Sequence, residues 1–106
     1  MAVIVMLSQQ EILEELSKNL KEWKDKYGVK RIALFGSYTR EEQTETSDID
    51  LLVEFKENAM TFDNYMDLKF ALEDIFQKQV DLVIFDDIKP ALKPIIIRSA
   101  KYAEGA

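Results

Sequence analysis

Two hydrophobic periodicities alternate along this chain, and their order limits the available folds more than any other feature. Residues 8–27 repeat apolar side chains every three or four positions, which predicts an amphipathic helix that begins at the capping box Ser8–Glu11 and ends near Gly28. Residues 29–35 instead concentrate β-branched and aromatic side chains before Gly36, which predicts a strand. One glycine therefore separates the first helix from the first strand.

Four further segments carry one or the other pattern. They are predicted strands at residues 48–55 and 80–85, and predicted helices at residues 61–79 and 89–103. Thr61 is a suitable cap for the first of these helices, whereas Pro94 either lies in an early turn of the last helix or splits it. The order helix, strand, strand, helix, strand, helix predicts an α/β fold, with a small mixed β-sheet and flanking helices on at least one face.

The chain shows no sign of division into separate domains. No repeat, low-complexity run or Gly/Ser linker interrupts its 106 residues, so we expect a single domain over residues 1–106. The first seven residues, MAVIVML, are apolar but far too short to span a bilayer, and they lack the basic start of a signal peptide. For residues 1–7 an edge strand and a tail both remain open. We expect a cytoplasmic protein without a membrane partner.

Composition excludes several kinds of chemistry. The chain has no cysteine and no histidine, which removes disulfides, the usual zinc sites and any histidine general base. Twenty acidic and fourteen basic residues give a net charge of −6, which would repel a long phosphate backbone and argues against bulk nucleic-acid binding. Acid–base or metal chemistry would therefore have to use carboxylates.

Two acids, Asp48 and Asp50, occur in the apolar run of the second predicted strand. Because side chains alternate along a strand, the two carboxylates project from one face and Ile49 points to the other. Two like charges held a few ångströms apart repel, and a divalent cation between them relieves that repulsion. Oxygen-only ligation suits Mg²⁺ or Mn²⁺, and Mg²⁺ usually takes substrate phosphates as well. The pair therefore indicates a metal site with a nucleoside triphosphate nearby.

A third acid, Asp81, lies in the third apolar strand. If that strand lies beside the strand of Asp48 and Asp50, the three carboxylates form a triad. Two of them would hold metal, and the third could also accept the proton of an attacking hydroxyl. Upstream, Gly36 and Ser37 offer a phosphate site, because glycine lets the backbone approach an anion and serine adds a hydroxyl donor.

Each of these features has a simpler explanation when it is taken alone. An aspartate at a strand end is more often a solvated edge residue than a ligand, and a lone Gly-Ser pair is a weak signal. Here Gly-Ser is separated by ten residues from Asp-x-Asp, and a later acid follows in another apolar strand. This combination favours one shared site.

Aromatic residues fit the core as the simplest assignment. The six residues assigned to it are Trp23, Tyr27, Phe62, Tyr65, Phe70 and Phe76. Only an exposed aromatic cluster would indicate an adenine platform or a partner surface.

The stretch LFGSYTREEQTETSDIDLLVEF resembles the Gly-Ser and Asp-x-Asp signature of the DNA polymerase beta-like nucleotidyltransferase superfamily. It is most similar to the minimal nucleotidyltransferases that pair with HEPN-domain toxins, and the resemblance runs from KYGVKRIALFGS to QVDLVIFDDIKPALKPIIIRSAKY. The resemblance implies the polymerase beta-like fold, with Gly36 and Ser37 engaging the triphosphate, Asp48 and Asp50 binding Mg²⁺, and Asp81 completing the triad. It also implies an antitoxin that transfers AMP from ATP onto a tyrosine of its partner toxin.

One position departs from the family pattern. Family members commonly show Ala-Arg-Gly where this chain has Thr39, Arg40 and Glu41, so the glycine is lost. If that position closes a short helix in left-handed geometry, a residue other than glycine costs roughly 1 kcal/mol. Arg40 is retained and could approach a phosphate, although a solvated helix arginine explains it equally well.

Two hypotheses of different classes follow. In the first, ATP and Mg²⁺ bind at the Gly-Ser and Asp-x-Asp residues, and an acceptor hydroxyl attacks the α-phosphorus as pyrophosphate leaves. In the second, the chain is a binding module that neutralises its partner by occlusion, and the catalytic set is vestigial. The sequence leaves open the nucleotide, the acceptor residue, the oligomeric state and the stoichiometry with a partner.

Overall fold

The computed structural model describes residues 8–39 and 48–103. Its helices are α1 (Gln9–Tyr27), α2 (Phe62–Phe76) and α3 (Lys93–Ser99), and its strands are β1 (Val29–Phe35), β2 (Ile49–Phe55), β3 (Val80–Ile84) and β4 (Lys101–Tyr102). Short 3₁₀ turns follow β1 at Gly36–Thr39 and β3 at Phe85–Asp87. The six predicted elements are all present, and β4 is an addition.

The first helix has the ends that the sequence predicts. The Ser8 hydroxyl accepts a hydrogen bond from the Glu11 amide at 3.1 Å, and the Glu11 carboxylate accepts one from the Ser8 amide at 3.1 Å. At the other end Gly28 takes a left-handed φ of 71°, and a Cβ there would overlap the side chain of Ala59. The capping box and the terminating glycine are both confirmed.

The sheet is mixed, with the strand order β3-β2-β1-β4. β1 pairs antiparallel with both β2 and β4, whereas β2 and β3 are parallel. Two parallel neighbours need a crossover connection, and α2 supplies it. The prediction of a small mixed sheet with flanking helices is confirmed.

The main core lies between the sheet and the two longer helices. Alternate residues of the strands face this side, and on β2 they are Ile49, Leu51, Val53 and Phe55. They pack against buried residues of α1 and α2: Ile12, Leu16, Leu20, Trp23, Tyr27, Leu68, Leu72 and Phe76. Burial on this scale supplies most of the apolar free energy that stabilises the fold.

The opposite face of the sheet carries a smaller apolar cluster. Ala33, Leu52 and Ile88 are buried there, with Ile96 and Ala100 of the α3 region packed against them. This face is therefore only thinly covered. Within the described ranges, no helix has both the length and the apolar character needed to cross a membrane.

The prediction of a helix over residues 89–103 is wrong at both ends, because α3 begins only at Lys93 and ends before β4. α3 stops at Ser99 with Pro94 in its first turn, which was one of the two alternatives for this proline. The chain then returns to the sheet as β4, where Tyr102 lies opposite Ala33 and the Ala103 amide donates to the Ile32 carbonyl at 2.9 Å. The residues after Ser99 form a strand because they can pair with the free edge of β1, and this pairing outweighs a weak local helix preference.

The assignment of the aromatic residues to the core is correct for some of them and wrong for two. The buried ones are Trp23, Tyr27 and Phe76. Phe62 and Phe70 of α2 are instead 69% and 58% exposed. They lie outside the stripe through which α2 contacts the sheet, which runs along Leu68 and Leu72. The apolar pattern of α2 is wider than the surface that it buries.

Candidate functional site

Two of the predicted site acids are register partners in the sheet. Asp50 of β2 lies directly opposite Asp81 of β3 in the parallel pair. Adjacent strands are about 4.8 Å apart and their side chains alternate, so both carboxylates project from the same face. Asp48 directly precedes β2 and shares this alternation. The strand adjacency on which the carboxylate triad depends is therefore present.

These acids lie on the thinly covered face of the sheet, opposite α1 and α2. Asp48 and Asp81 are exposed, and Asp50 is half-buried. In residues 8–39 and 48–103, no group of three or more acidic side chains is arranged to hold a metal ion by itself. A cation here would need further oxygens from water and substrate. That requirement fits Mg²⁺, which usually binds one or two carboxylates together with substrate phosphates.

Gly36 begins the 3₁₀ turn Gly36–Thr39, which we call the glycine turn, and it lies against Asp50. Its φ of 78° is left-handed, and a Cβ at this position would overlap the Asp50 carboxylate. The turn is closed by the Thr39 hydroxyl, which donates to the Gly36 carbonyl at 2.7 Å. Both the backbone conformation and the close approach of a carboxylate therefore require glycine here.

The other residues of the predicted phosphate site are described less fully. The backbone of Ser37 belongs to the glycine turn, but its side chain lies outside what the structure describes. Arg40 and Glu41, the latter standing where the family commonly has glycine, lie outside the described residues, as do residues 1–7. Their predicted roles stay predictions.

A polar cleft of about 290 Å³ opens beside the acids. Its lining includes Asp48 and Asp81, together with Lys69 and Glu73 of α2 and Gln79 before β3. Lys69 brings a positive charge beside the carboxylates. Lys69 and Glu73 are not among the predicted site residues, because the helical pattern of α2 does not reveal which strand edge the helix will follow.

Two side chains of α2 fix the position of this helix along the outer edge of β3. The Tyr65 hydroxyl donates to the Leu82 carbonyl at 2.7 Å, and the Glu73 carboxylate accepts from the Val80 amide at 3.1 Å. Lys69 lies one helical turn from each, so the same contacts hold it at the cleft. The polar residues at spacings of four, Tyr65, Lys69 and Glu73, are the sequence signal that could have identified them.

A second basic residue on this face is already engaged. Arg31 bonds Glu54 through its Nε at 2.7 Å, and its guanidinium lies 5.6 Å from the ring centre of Phe85 and 5.2 Å from that of Tyr102. Lys93 lies 4.3 Å from the ring centre of Phe85. These cations therefore hold side chains of this face together.

A larger groove than this cleft lies away from the acids. A groove of about 740 Å³ runs between the start of α1 and β4, and Leu13, Lys18 and Tyr102 are among its lining residues. Within the part of the chain that the structure describes, none of the predicted site residues lines this groove. We therefore assign the candidate site to the region where Asp50 and Asp81 pair and the smaller cleft opens beside Asp48 and Asp81, because paired carboxylates next to a glycine turn are the stronger chemical indication.

Comparison with known sequences places most of the chain in one family. Residues 16–103 match the nucleotidyltransferase domain family. A Methanocaldococcus jannaschii chain named as a protein adenylyltransferase is 54% identical over 79 residues, which are 74% of this chain and 79% of that one. Protein adenylyltransferase MntA of Thermococcus cleftensis is 34% identical over 99 residues, which are 93% of this chain and 99% of the relative.

Solved structures agree with the sequence comparison. A structure described as a minimal nucleotidyltransferase superposes with a TM-score of 0.71 at 35% identity, covering 84% of this chain and 93% of that one. A chain from the complex of a tri-AMPylated Shewanella oneidensis HEPN toxin with MNT antitoxin gives a TM-score of 0.65. It is 23% identical and covers 92% of this chain and 73% of its own length, so it supports the fold alone. The matched segment 16–103 contains Gly36 and all three candidate acids.

Proposed function

Because the chain belongs to the nucleotidyltransferase domain family, as a minimal nucleotidyltransferase of the protein adenylyltransferase type, we propose that it transfers AMP from ATP to a tyrosine hydroxyl of a HEPN-domain toxin and so acts as its antitoxin. One observation carries the proposal. Asp50 and Asp81 are register partners on the open face of the sheet, with Gly36 against Asp50.

Asp48 and Asp50 are the residues that would hold Mg²⁺ or Mn²⁺, with Asp81 beside them. The donor set fits this ion, because it is made of carboxylate oxygens and leaves coordination sites for phosphate and water. When bound, the ion would neutralise negative charge on the triphosphate and on the leaving pyrophosphate. The chain's own contribution is to hold carboxylates at one edge of two paired strands.

Asp81 is the acid best placed to receive the acceptor's proton. It is exposed, faces the same side as Asp50 and lines the polar cleft. In the transfer, the acceptor oxygen forms a bond to the α-phosphorus while the bond from that phosphorus to the pyrophosphate oxygen breaks. The hydroxyl proton passes to the Asp81 carboxylate, which acts as general base.

The glycine turn and the cleft supply groups for the nucleotide. The absence of a side chain at Gly36 lets the backbone of this turn lie close to the acids, where the triphosphate would bind. Ser37 and Arg40 are the further phosphate ligands that we propose. Lys69, which lines the cleft together with Asp48 and Asp81, adds a positive charge within the same site.

The proposed acceptor belongs to a separate protein. A complex that shares this fold contains a tri-AMPylated HEPN toxin and an MNT antitoxin, which supports a HEPN toxin as the partner here. A related complex was solved with AMP-PNP, which supports ATP as the donor. Both similarities are below 25% identity, so they motivate the assignment and the experiment below tests it.

The test is transfer of labelled AMP to the cognate HEPN protein. Wild type with labelled ATP and Mg²⁺ is expected to label the toxin on tyrosine, and the Asp48→Asn/Asp50→Asn variant is expected to lose the labelling. A matched control, Asp25→Asn/Asp67→Asn, removes the same charge from exposed helix positions and should label normally.

Three results would contradict parts of this proposal. Equal labelling by the site variant would refute the assignment of the acids. Labelling on serine or threonine would refute the tyrosine acceptor. If the site variant labels nothing but still neutralises the toxin in cells at normal expression, the antitoxin acts by occlusion and AMP transfer is secondary.

A further inference from the structure

α3 presents apolar side chains on both of its sides, and only one side is covered. Ile96, together with Ala100 after the helix, packs against the small cluster on the sheet. Outside this contact Leu92, Ile95 and Ile97 are 49%, 63% and 38% exposed. Leu92 and Ile95 are three positions apart and lie on the same side of the helix, and we call these two residues the α3 ridge, whereas Ile97 lies on the other flank of Ile96. Exposed aliphatic side chains that lie together on one surface are typical of an interaction site.

The ridge carries a charge opposite to that of the chain. The segment from Ile88 to Ala103 contains four basic residues and no acid, although the whole chain has a net charge of −6. Among the described residues, Lys89 and Arg98 are exposed and make no ion pair with a carboxylate. Positive charge is therefore available at both ends of the apolar ridge.

The ridge is also close to the candidate site. α3 contacts the glycine turn, and Gly36 of that turn lies against Asp50. A protein that docks on the ridge would cover the surface next to the acids. Its side chains could then reach the open face of the sheet without passing α1 or α2.

We propose that the α3 ridge is the docking surface for the protein that supplies the acceptor hydroxyl, and that this partner meets it with an apolar patch bordered by carboxylates. The inference rests on the proposed function for the identity of the partner. The net charge of the chain alone would favour a basic partner. The charge of the partner surface is instead set by the charges near the ridge, because electrostatic interactions are screened over about 8 Å at physiological salt.

α2 provides an internal comparison. Phe62 and Phe70 are as exposed as the ridge residues, but the exposed side chains around them include Asp63, Asp67 and Asp74. An acidic partner that fits the ridge would be repelled at α2. Phe70 is therefore a matched control, because it is an exposed apolar helix residue in an environment of the opposite charge.

The experiment measures binding and AMP transfer with the purified cognate HEPN protein. Ile95→Glu and Arg98→Glu are each expected to weaken binding roughly tenfold or more, and Phe70→Glu to leave it unchanged within about twofold. Ile95→Glu and Arg98→Glu should both raise the KM for the toxin while kcat at saturating toxin is retained. The rise in melting temperature caused by ATP with Mg²⁺ should equal that of wild type, which shows that the fold and the nucleotide site are intact.

Several results would overturn the inference. Wild-type affinity in both of these variants would exclude the ridge, and tighter binding by Arg98→Glu would show that the partner surface is basic. If Ile95→Glu abolishes self-association in sedimentation and leaves toxin binding unchanged, the ridge binds a second copy of this chain. Failure of the proposed function gives a different result, because wild type would then bind the toxin without labelling it. The binding measurements would still test whether the ridge is the docking surface.

Discussion

The two faces of the sheet differ in how completely they are covered. The face under α1 and α2 packs a continuous core that includes Trp23 and the fully buried Leu68. The opposite face buries a small cluster, carries the three candidate acids and is flanked by the exposed ridge of α3. One face can thus stabilise the fold while the other keeps charged groups accessible to solvent and substrate.

Strand alternation lets one segment serve both faces. In β2, Ile49 and Leu51 point into the main core, while Asp50 between them points to the open face. An acid on the covered face would be desolvated at a cost of several kcal/mol. The same acid on the open face is only half-buried and keeps part of its hydration. The apolar neighbours of the site acids therefore hold the strand in place without burying the carboxylates.

The largest effect on stability is expected from the covered face. Leu68→Ala removes a fully buried side chain and should lower the free energy of unfolding by about 2–5 kcal/mol. Leu92→Ala, on the exposed ridge, should change it by less than about 0.5 kcal/mol. Denaturant unfolding of both variants measures the difference. Similar losses would mean that the two faces do not differ as described.

Gly28 and Gly36 both have a left-handed backbone conformation, but only one of them lies at the candidate site. Substituting each therefore distinguishes an effect on stability from an effect on activity. Gly28→Ala and Gly36→Ala each force a Cβ into a neighbour at positive φ, so both should lower stability by about 1 kcal/mol or more. Only Gly36→Ala displaces the Asp50 carboxylate, and it should reduce AMP transfer by roughly a hundredfold. Thermal unfolding and labelling assays test the pair. An equal loss of transfer in Gly28→Ala would remove the special role of Gly36.

We expect Mg²⁺ to stabilise the protein by binding to the acids of the open face. At ten times its Kd, Mg²⁺ should raise the free energy of unfolding of wild type by about 1.4 kcal/mol. The Asp48→Asn/Asp50→Asn variant should show no such increase, whereas Asp25→Asn/Asp67→Asn should behave as wild type. Calorimetry of the three proteins, each with chelator and with Mg²⁺, measures these changes. Equal stabilisation of all three proteins would exclude these acids as metal ligands.

The smallest expected effect concerns the contact that positions α2 at the cleft. Tyr65→Phe removes the hydrogen bond to the Leu82 carbonyl and should lower the free energy of unfolding by about 0.5–1.5 kcal/mol. Tyr102→Phe keeps the ring that Arg31 contacts and should have a smaller effect. Chemical denaturation distinguishes them. A larger loss in Tyr102→Phe would show that the thinly covered face contributes more than its small cluster suggests.

The sequence by itself determined the local elements. The Ser8–Glu11 capping box, the terminating Gly28 and the Thr61 cap are all observed, because each depends on contacts within one helical turn. The same-face spacing of Asp48 and Asp50 likewise follows from the two-residue repeat of a strand. Similarity to known nucleotidyltransferases then gave these residues their expected chemistry.

Tertiary structure alone decided which of these elements meet. It paired β2 with β3 so that Asp50 faces Asp81, brought Lys69 to the cleft, and turned residues after Ser99 from predicted helix into a strand on the edge of β1. It also left Phe70 exposed, although an aromatic side chain is most simply assigned to the core. These outcomes depend on contacts between residues far apart in the chain, which local periodicity does not encode.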